Sequence, residues 1–111
     1  MDQKKWTVYE ARAKIIKALS HPARLLIVEE LQKEERCVCE LQKMIGSDMS
    51  TVSKHLSILK NAGIVVDRKE GTSCYYSLKV PCILNFFGCV EKVMESNLKQ
   101  QNEIMNTCRK R

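Results

Sequence analysis

Two cysteines one residue apart, Cys37 and Cys39, stand shortly before a segment rich in small hydroxyl residues: Ser50, Thr51, Ser53 and Ser57, with Lys54 and His55 among them. Each half of this stretch has its own chemistry. A thiolate pair selects soft, thiophilic ions over Mg²⁺ or Ca²⁺. Small hydroxyls and a lysine on the outer face of a helix suit the major groove of DNA, where they meet base edges and phosphates. The expected contacts are Ser50, Thr51, Ser53 and Lys54. His55 precedes the apolar Leu56, so it suits a packed, hydrogen-bonded position as well as a DNA contact. The plainer alternatives are a solvated helix face and, because free cysteine is commonly buried, a small core thiol with an incidental neighbour.

Residues i and i+2 of a helix do not face each other. One ion cannot bridge Cys37 and Cys39 inside a regular helix without unwinding that turn. Such unwinding would disturb the helix packed beside it, so ligand and DNA binding would be coupled reciprocally. Cys82 and Cys89 are seven residues apart; on one helix they share a face but stand about 10.5 Å apart along the axis. They cannot chelate one ion from a single helix, although across a dimer, or with the partner's Cys37 or Cys39, they could. Packed thiols are the alternative. Cys74 and Cys108 are assigned no role. Arg68 and Lys69 adjoin a turn, where they would add salt-dependent affinity for a phosphate backbone or simply solubilise the turn. Only two histidines are present, His21 and His55, which disfavours a nitrogen-rich Zn or Ni site. Phosphate-loop and zinc-protease motifs and a nucleophile–base pair are missing from the sequence, which argues against an enzyme.

The elements that must position these residues follow from periodicity. Val8, Ala11, Ile15 and Ala18 are spaced for a helix over residues 6–19. Ser20-His21-Pro22 breaks it and starts a second, with Ser20 or His21 as the cap and Leu26, Ile27 and Leu31 inward. Val38, Leu41 and Ile45 mark a short third helix, which Gly46 ends. Ser47-Asp48 then caps a fourth over 49–61, with Val52, Leu56 and Leu59 as its apolar stripe. β-Branched residues over 64–68, a turn at Lys69-Glu70-Gly71-Thr72 and a strand over 73–78 predict a hairpin with a loop longer than two residues. A long last helix runs from Ile83 to about Cys108, with Phe86, Phe87, Val90, Val93, Met94 and Leu98 apolar. This is the order of a winged helix-turn-helix: mainly α, with one β-hairpin. At 111 residues the expectation is a single domain over 1–111. No apolar run suits a membrane span and the first residues do not suit a signal peptide, so a cytoplasmic protein with reduced thiols is expected. The net charge of +6 favours a polyanionic partner.

The motifs Ser20-His21-Pro22-Ala23-Arg24-Leu25, Cys37-Val38-Cys39-Glu40-Leu41, Ser53-Lys54-His55-Leu56 and Gly71 followed by Tyr75-Tyr76-Ser77-Leu78 together resemble the ArsR/SmtB family of metal-responsive repressors. The Cys-Val-Cys-Glu-Leu run is similar to the arsenical-resistance branch. The resemblance implies a homodimeric repressor, paired through its first and last helices, with recognition helices on half-sites about one DNA turn apart. It also implies release from double-stranded operator DNA when As(III) or Sb(III) binds Cys37 and Cys39. Two departures stand out. Gln42 occupies the place where that branch often has a third cysteine, and the last helix lacks the His, Asp and acidic cluster of the family's zinc site. The missing cysteine gives weight to a thiol-redox or persulfide sensor of the same fold; a Cd or Pb sensor is a further alternative. A winged fold that buffers metalloid or binds protein without DNA is the rival from another class.

Overall fold

The computed structural model describes residues 2–109; Met1, Lys110 and Arg111, which complete the expected 1–111 domain, lie outside the described residues. The chain divides into two compact units, Met1–Pro81 and Cys82–Arg111.

In the first unit, α1 (Gln3–Leu19) is capped by Asp2, whose carboxylate accepts the Lys4 N–H. α2 (Pro22–Lys33) is capped by His21: its backbone is extended and Nδ1 accepts the Ala23 N–H at 3.0 Å. Pro22, at the first helical position, sacrifices no helical hydrogen bond. A two-residue strand that periodicity did not announce, β1 (Arg36–Cys37), precedes α3 (Val38–Ile45). Gly46 ends α3 in the left-handed conformation, φ 79°, with its N–H on the Gln42 carbonyl; that conformation favours glycine. Asp48 then caps α4 (Met49–Asn61) by accepting the Thr51 N–H at 2.8 Å. Hydrogen bonds from Thr51, and then from Ser50, hold the Asp48 carboxyl below its ordinary pKa.

β2 (Val65–Glu70) and β3 (Ser73–Leu78) pair antiparallel, with Val65 opposite Leu78 and Glu70 opposite Ser73. Only Gly71 and Thr72 remain between them, which corrects the expectation of a longer loop. The positive φ falls on Gly71 (62°) and on no non-glycine among the described residues. That pattern is that of a type II′ turn, whose twist matches that of the strands. Lys69 and Glu70 therefore belong to a strand. β1 adds to the other edge of β3, so the sheet has three strands in the order β1-β3-β2 rather than two.

The core joins Ala18 and Leu19 of α1, Ile27, Val28 and Leu31 of α2, Leu41 of α3, Val52, Leu56 and Leu59 of α4, and Ile64 and Val65. Val28 takes the inward place expected of Leu26, which is only half-buried. Val8, Ala11 and Ile15, read as the apolar stripe of α1, are exposed. In the second unit, α5 (Leu84–Arg109) runs for 26 residues without a buried one. Among the described residues no helix is long and apolar enough to cross a membrane.

Candidate nucleic-acid interface and thiol site

α3, the Gly46-Ser47-Asp48 turn and α4 form a helix-turn-helix. The buried stripe Val52, Leu56 and Leu59 turns one side of α4 inward. Ser50, Thr51, Ser53, Lys54 and Ser57 are consequently exposed on the other sides. The Ser50 hydroxyl donates to Asp48 Oδ1 at 3.1 Å and so belongs partly to the cap. Ser53 and Lys54 make no side-chain hydrogen bond or ion pair among the described residues, which leaves their polar atoms available to a ligand. His55 differs from them. It is half-buried, and its Nδ1 lies 3.2 Å from Arg24 Nη1. Burial, and then the neighbouring His21 and Arg24, lower its pKa from the ordinary 6.5. Of the two positions open to His55, the structure shows the packed, hydrogen-bonded one.

On the wing, Lys69 is exposed and makes no ion pair among the described residues. Arg68 is engaged. Its Nη2 donates to Glu35 at 2.6 Å and its Nη1 to Glu70 at 2.8 Å, and it lies over the Tyr75 ring at 4.8 Å. The Arg68 hydrogen bonds hold Glu35 below the usual carboxylate pKa and, with Glu70, raise that of the guanidinium. The expectation that Arg68 meets a phosphate backbone or solubilises the turn was made without Glu35, which lies 33 residues away in sequence.

Cys37 lies just outside the regular helix. It is the N-cap of α3, with extended backbone (φ −82°, ψ 160°), and Glu40 reaches back to accept its N–H at 3.2 Å. This is a capping box with cysteine in the place usual for serine or threonine. The bond from the Cys37 backbone is the main reason the Glu40 carboxyl titrates below its ordinary value. Cys37 also pairs with Tyr75 in β3, and Tyr75 pairs in turn with Arg68 in β2. Side chains directly opposite in register share a sheet face, so Cys37, Tyr75 and Arg68 form one row. Cys37 is half-buried and Cys39, in the first turn of α3, is exposed. The steric objection to a shared ligand is thereby eased, because only Cys39 sits inside the helix.

Arg36 anchors this junction. Its guanidinium reaches Glu30 (3.2 Å) and Glu34 (3.0 Å) at the end of α2 and Glu40 (3.3 Å) in α3, with only 15% of its side chain exposed. Nothing in the hydrophobic periodicity pointed to it; the acidic residues before and after it were the available signal. Cys82 and Cys89 belong to the second unit and are exposed in the single chain, as is Cys108. Among the described residues no group of three or more His, Cys, Asp or Glu could hold a metal ion. The donor set present is two sulfurs, which fits a thiophilic centre and not a hard cation.

The helix-turn-helix, the three-stranded wing and the exposed polar face of α4 define a winged-helix DNA-binding protein. Residues 21–66 match the model of the family described as bacterial regulatory protein, arsR family. The HTH-type transcriptional regulator Rv0081 of Mycobacterium tuberculosis is 32% identical over 103 residues, which span 92% of this chain and 90% of that one. Its crystal structure superposes with a TM-score of 0.74, covering 85% of this chain and 95% of that one at 34% identity. The homodimeric winged helix-turn-helix DNA-binding domain of Mb0332 from Mycobacterium bovis gives a TM-score of 0.75 at 30% identity, covering 90% and 93% of the two chains. A cadmium resistance transcriptional regulatory protein, the CadC homolog of Staphylococcus aureus, is 49% identical over 67 residues, 60% of this chain and 55% of that one. The chain belongs to the ArsR family and is a transcriptional regulator, not an enzyme.

Proposed function

We propose that this chain is a homodimeric repressor that leaves its operator when As(III) or Sb(III) binds Cys37 and Cys39. The observation that carries the reading is the double role of Cys37, which caps the first helix of the helix-turn-helix and pairs with the central strand of the wing. A ligand held by this sulfur and by Cys39 acts on both DNA-contacting elements at once. With arsenous acid, each As–S bond forms as a thiol proton leaves with one hydroxide as water. Drawing the two sulfurs together costs the Glu40 cap and the first turn of α3, and α4 and the wing lose their support. Ser50, Thr51, Ser53 and Lys54 are the proposed contacts in the major groove, with Lys69 on the backbone. Arg68 joins them only on leaving Glu35, and His55 acts from behind the helix rather than on the bases.

Homodimerisation is favoured by the exposed apolar residues of α1 (Trp6, Ile16) and of α5 (Phe86, Met94, Leu98) and by the homodimeric Mb0332 domain. The likeness to the CadC homolog supports a second effector, a soft divalent cation such as Cd²⁺, on the same two sulfurs. Fluorescence anisotropy of the reduced protein on the DNA upstream of its own gene, titrated with arsenite and with Cd²⁺ in the presence of a monothiol, tests both readings. Release by arsenite that disappears in Cys37→Ser/Cys39→Ser supports the first. Release by Cd²⁺ alone supports the second. Binding that ignores both but responds to persulfide or oxidant replaces them with a thiol-redox sensor.

A further inference from the structure

The chain's two histidines touch. The ring centroids of His21 and His55 are 4.4 Å apart and the planes are tilted by 45°. Both protonation states follow from hydrogen bonds. His21 Nδ1 accepts the Ala23 N–H, so it carries no proton. Arg24 Nη1 lies 3.2 Å from His55 Nδ1. A guanidinium has only donors, so His55 Nδ1 accepts as well. In this arrangement both Nδ1 atoms are acceptors, which leaves Nε2 as the place of the ring proton. Arg24 reaches further: its Nε donates to the Ala18 carbonyl at 2.6 Å. One side chain thus ties the end of α1, the start of α2 and the middle of α4.

The groups facing His55 are few. The titratable and charged ones are His21, at the start of α2, and Arg24, within α2. α1 contributes the Ala18 carbonyl to Arg24, and no charged group of α3 or β2 hydrogen-bonds to His55. Among the described residues no carboxylate pairs with His21, Arg24 or His55. A proton added to either ring destroys an acceptor, the cap of α2 or the seat of Arg24. It also places a new cation beside Arg24 with no anion to offset it. Loss of the Arg24 seat and the added like charge both act across the contact between α2 and α4.

We propose that His21, Arg24 and His55 form a proton-sensitive joint that positions the recognition helix, so that DNA affinity falls on acidification by a route independent of the thiols. The inference rests on DNA binding by this chain and not on its metalloid response. Its sign separates it from the obvious alternative. A histidine contacting phosphate would gain a charge in acid and bind DNA more tightly; the joint weakens binding.

The test is anisotropy of the full, reduced chain on its upstream duplex at fixed ionic strength, from about pH 7.5 to about pH 5.5, which brackets ordinary histidine titration. Affinity should fall by up to about tenfold per pH unit for each proton taken up. In His21→Asn/His55→Asn an amide oxygen stands near each Nδ1 and cannot titrate, so this variant should bind at the higher pH and show a flat profile. A wild-type profile that is flat or rises in acid overturns the joint, as does a double variant that falls in parallel with wild type. Should the double variant not fold, the wild-type chain carries the test through its two imidazole NMR resonances: the loss of affinity must follow one of them, and a loss that follows neither overturns the joint. Absence of binding even at the higher pH counts against the DNA reading and the joint together, whereas pH-insensitive binding counts against the joint alone.

Discussion

α4 and α5 carry the same apolar spacing and meet different fates. Val52, Leu56 and Leu59 of α4 are fully buried. Phe86, Val90 and Val93 of α5, at the same helical spacing, are 41–58% exposed. Periodicity specifies that a helix has an apolar face, not what covers that face. In α4 the cover comes from within the unit. For α5 the proposed cover is a second copy of the chain.

The contrast can be broken most directly in the core. Leu56→Ala should cost about 2–5 kcal/mol of folding stability, the usual range for a fully buried leucine, read from urea unfolding. Leu98→Ala should leave the urea midpoint of dilute protein unchanged within error. Equal losses in the two variants would erase the distinction between the faces. Arg36→Ala should follow in size, at about 1–3 kcal/mol, because Glu30, Glu34 and Glu40 lose their shared hydrogen-bonded cation. It should also weaken DNA binding without altering the thiols.

A charge on the exposed face sharpens the comparison from the other side. Met94→Asp should convert the dimer to monomer in sedimentation equilibrium while the far-ultraviolet helix signal persists; an unchanged dimer would remove α5 from the interface. Lys54→Ala should weaken binding to all DNA sequences alike and lower the salt slope by about 1, whereas a change confined to one base position would make Lys54 a base reader.

The smallest effect concerns His55. Its pKa is depressed in the folded chain, by burial first and then by His21 and Arg24, so the unfolded chain takes up the proton more readily. The corresponding stability is fully present above the ordinary value of 6.5 and is lost as pH falls through the folded value. Urea midpoints should therefore decline in acid less steeply in His55→Asn than in wild type.

Much of the local structure was legible without coordinates. α4 spans Met49–Asn61, the expected bounds, and starts at the expected cap, Asp48, because capping is local chemistry. The hairpin was legible as an element, but its turn was misjudged: Lys69 and Glu70 look like turn residues by polarity, and only strand pairing shows them in register with Cys74 and Ser73. β1 had no periodicity to display, since two residues cannot establish one. Arg68 and His55 were assigned from their own surroundings in the sequence, while Glu35 and Arg24, which engage them, lie 33 and 31 residues away.

The sequence by itself determined the helix order, the polar face of α4, the thiol pair and the family, because these depend on residue type and short spacing. Tertiary structure alone decided that Cys37 sits outside α3 and pairs with the wing, that Arg36 binds three glutamates, and that the two histidines touch. Each of those contacts joins segments distant in the chain, and such partners are set by packing and strand register rather than by local propensity.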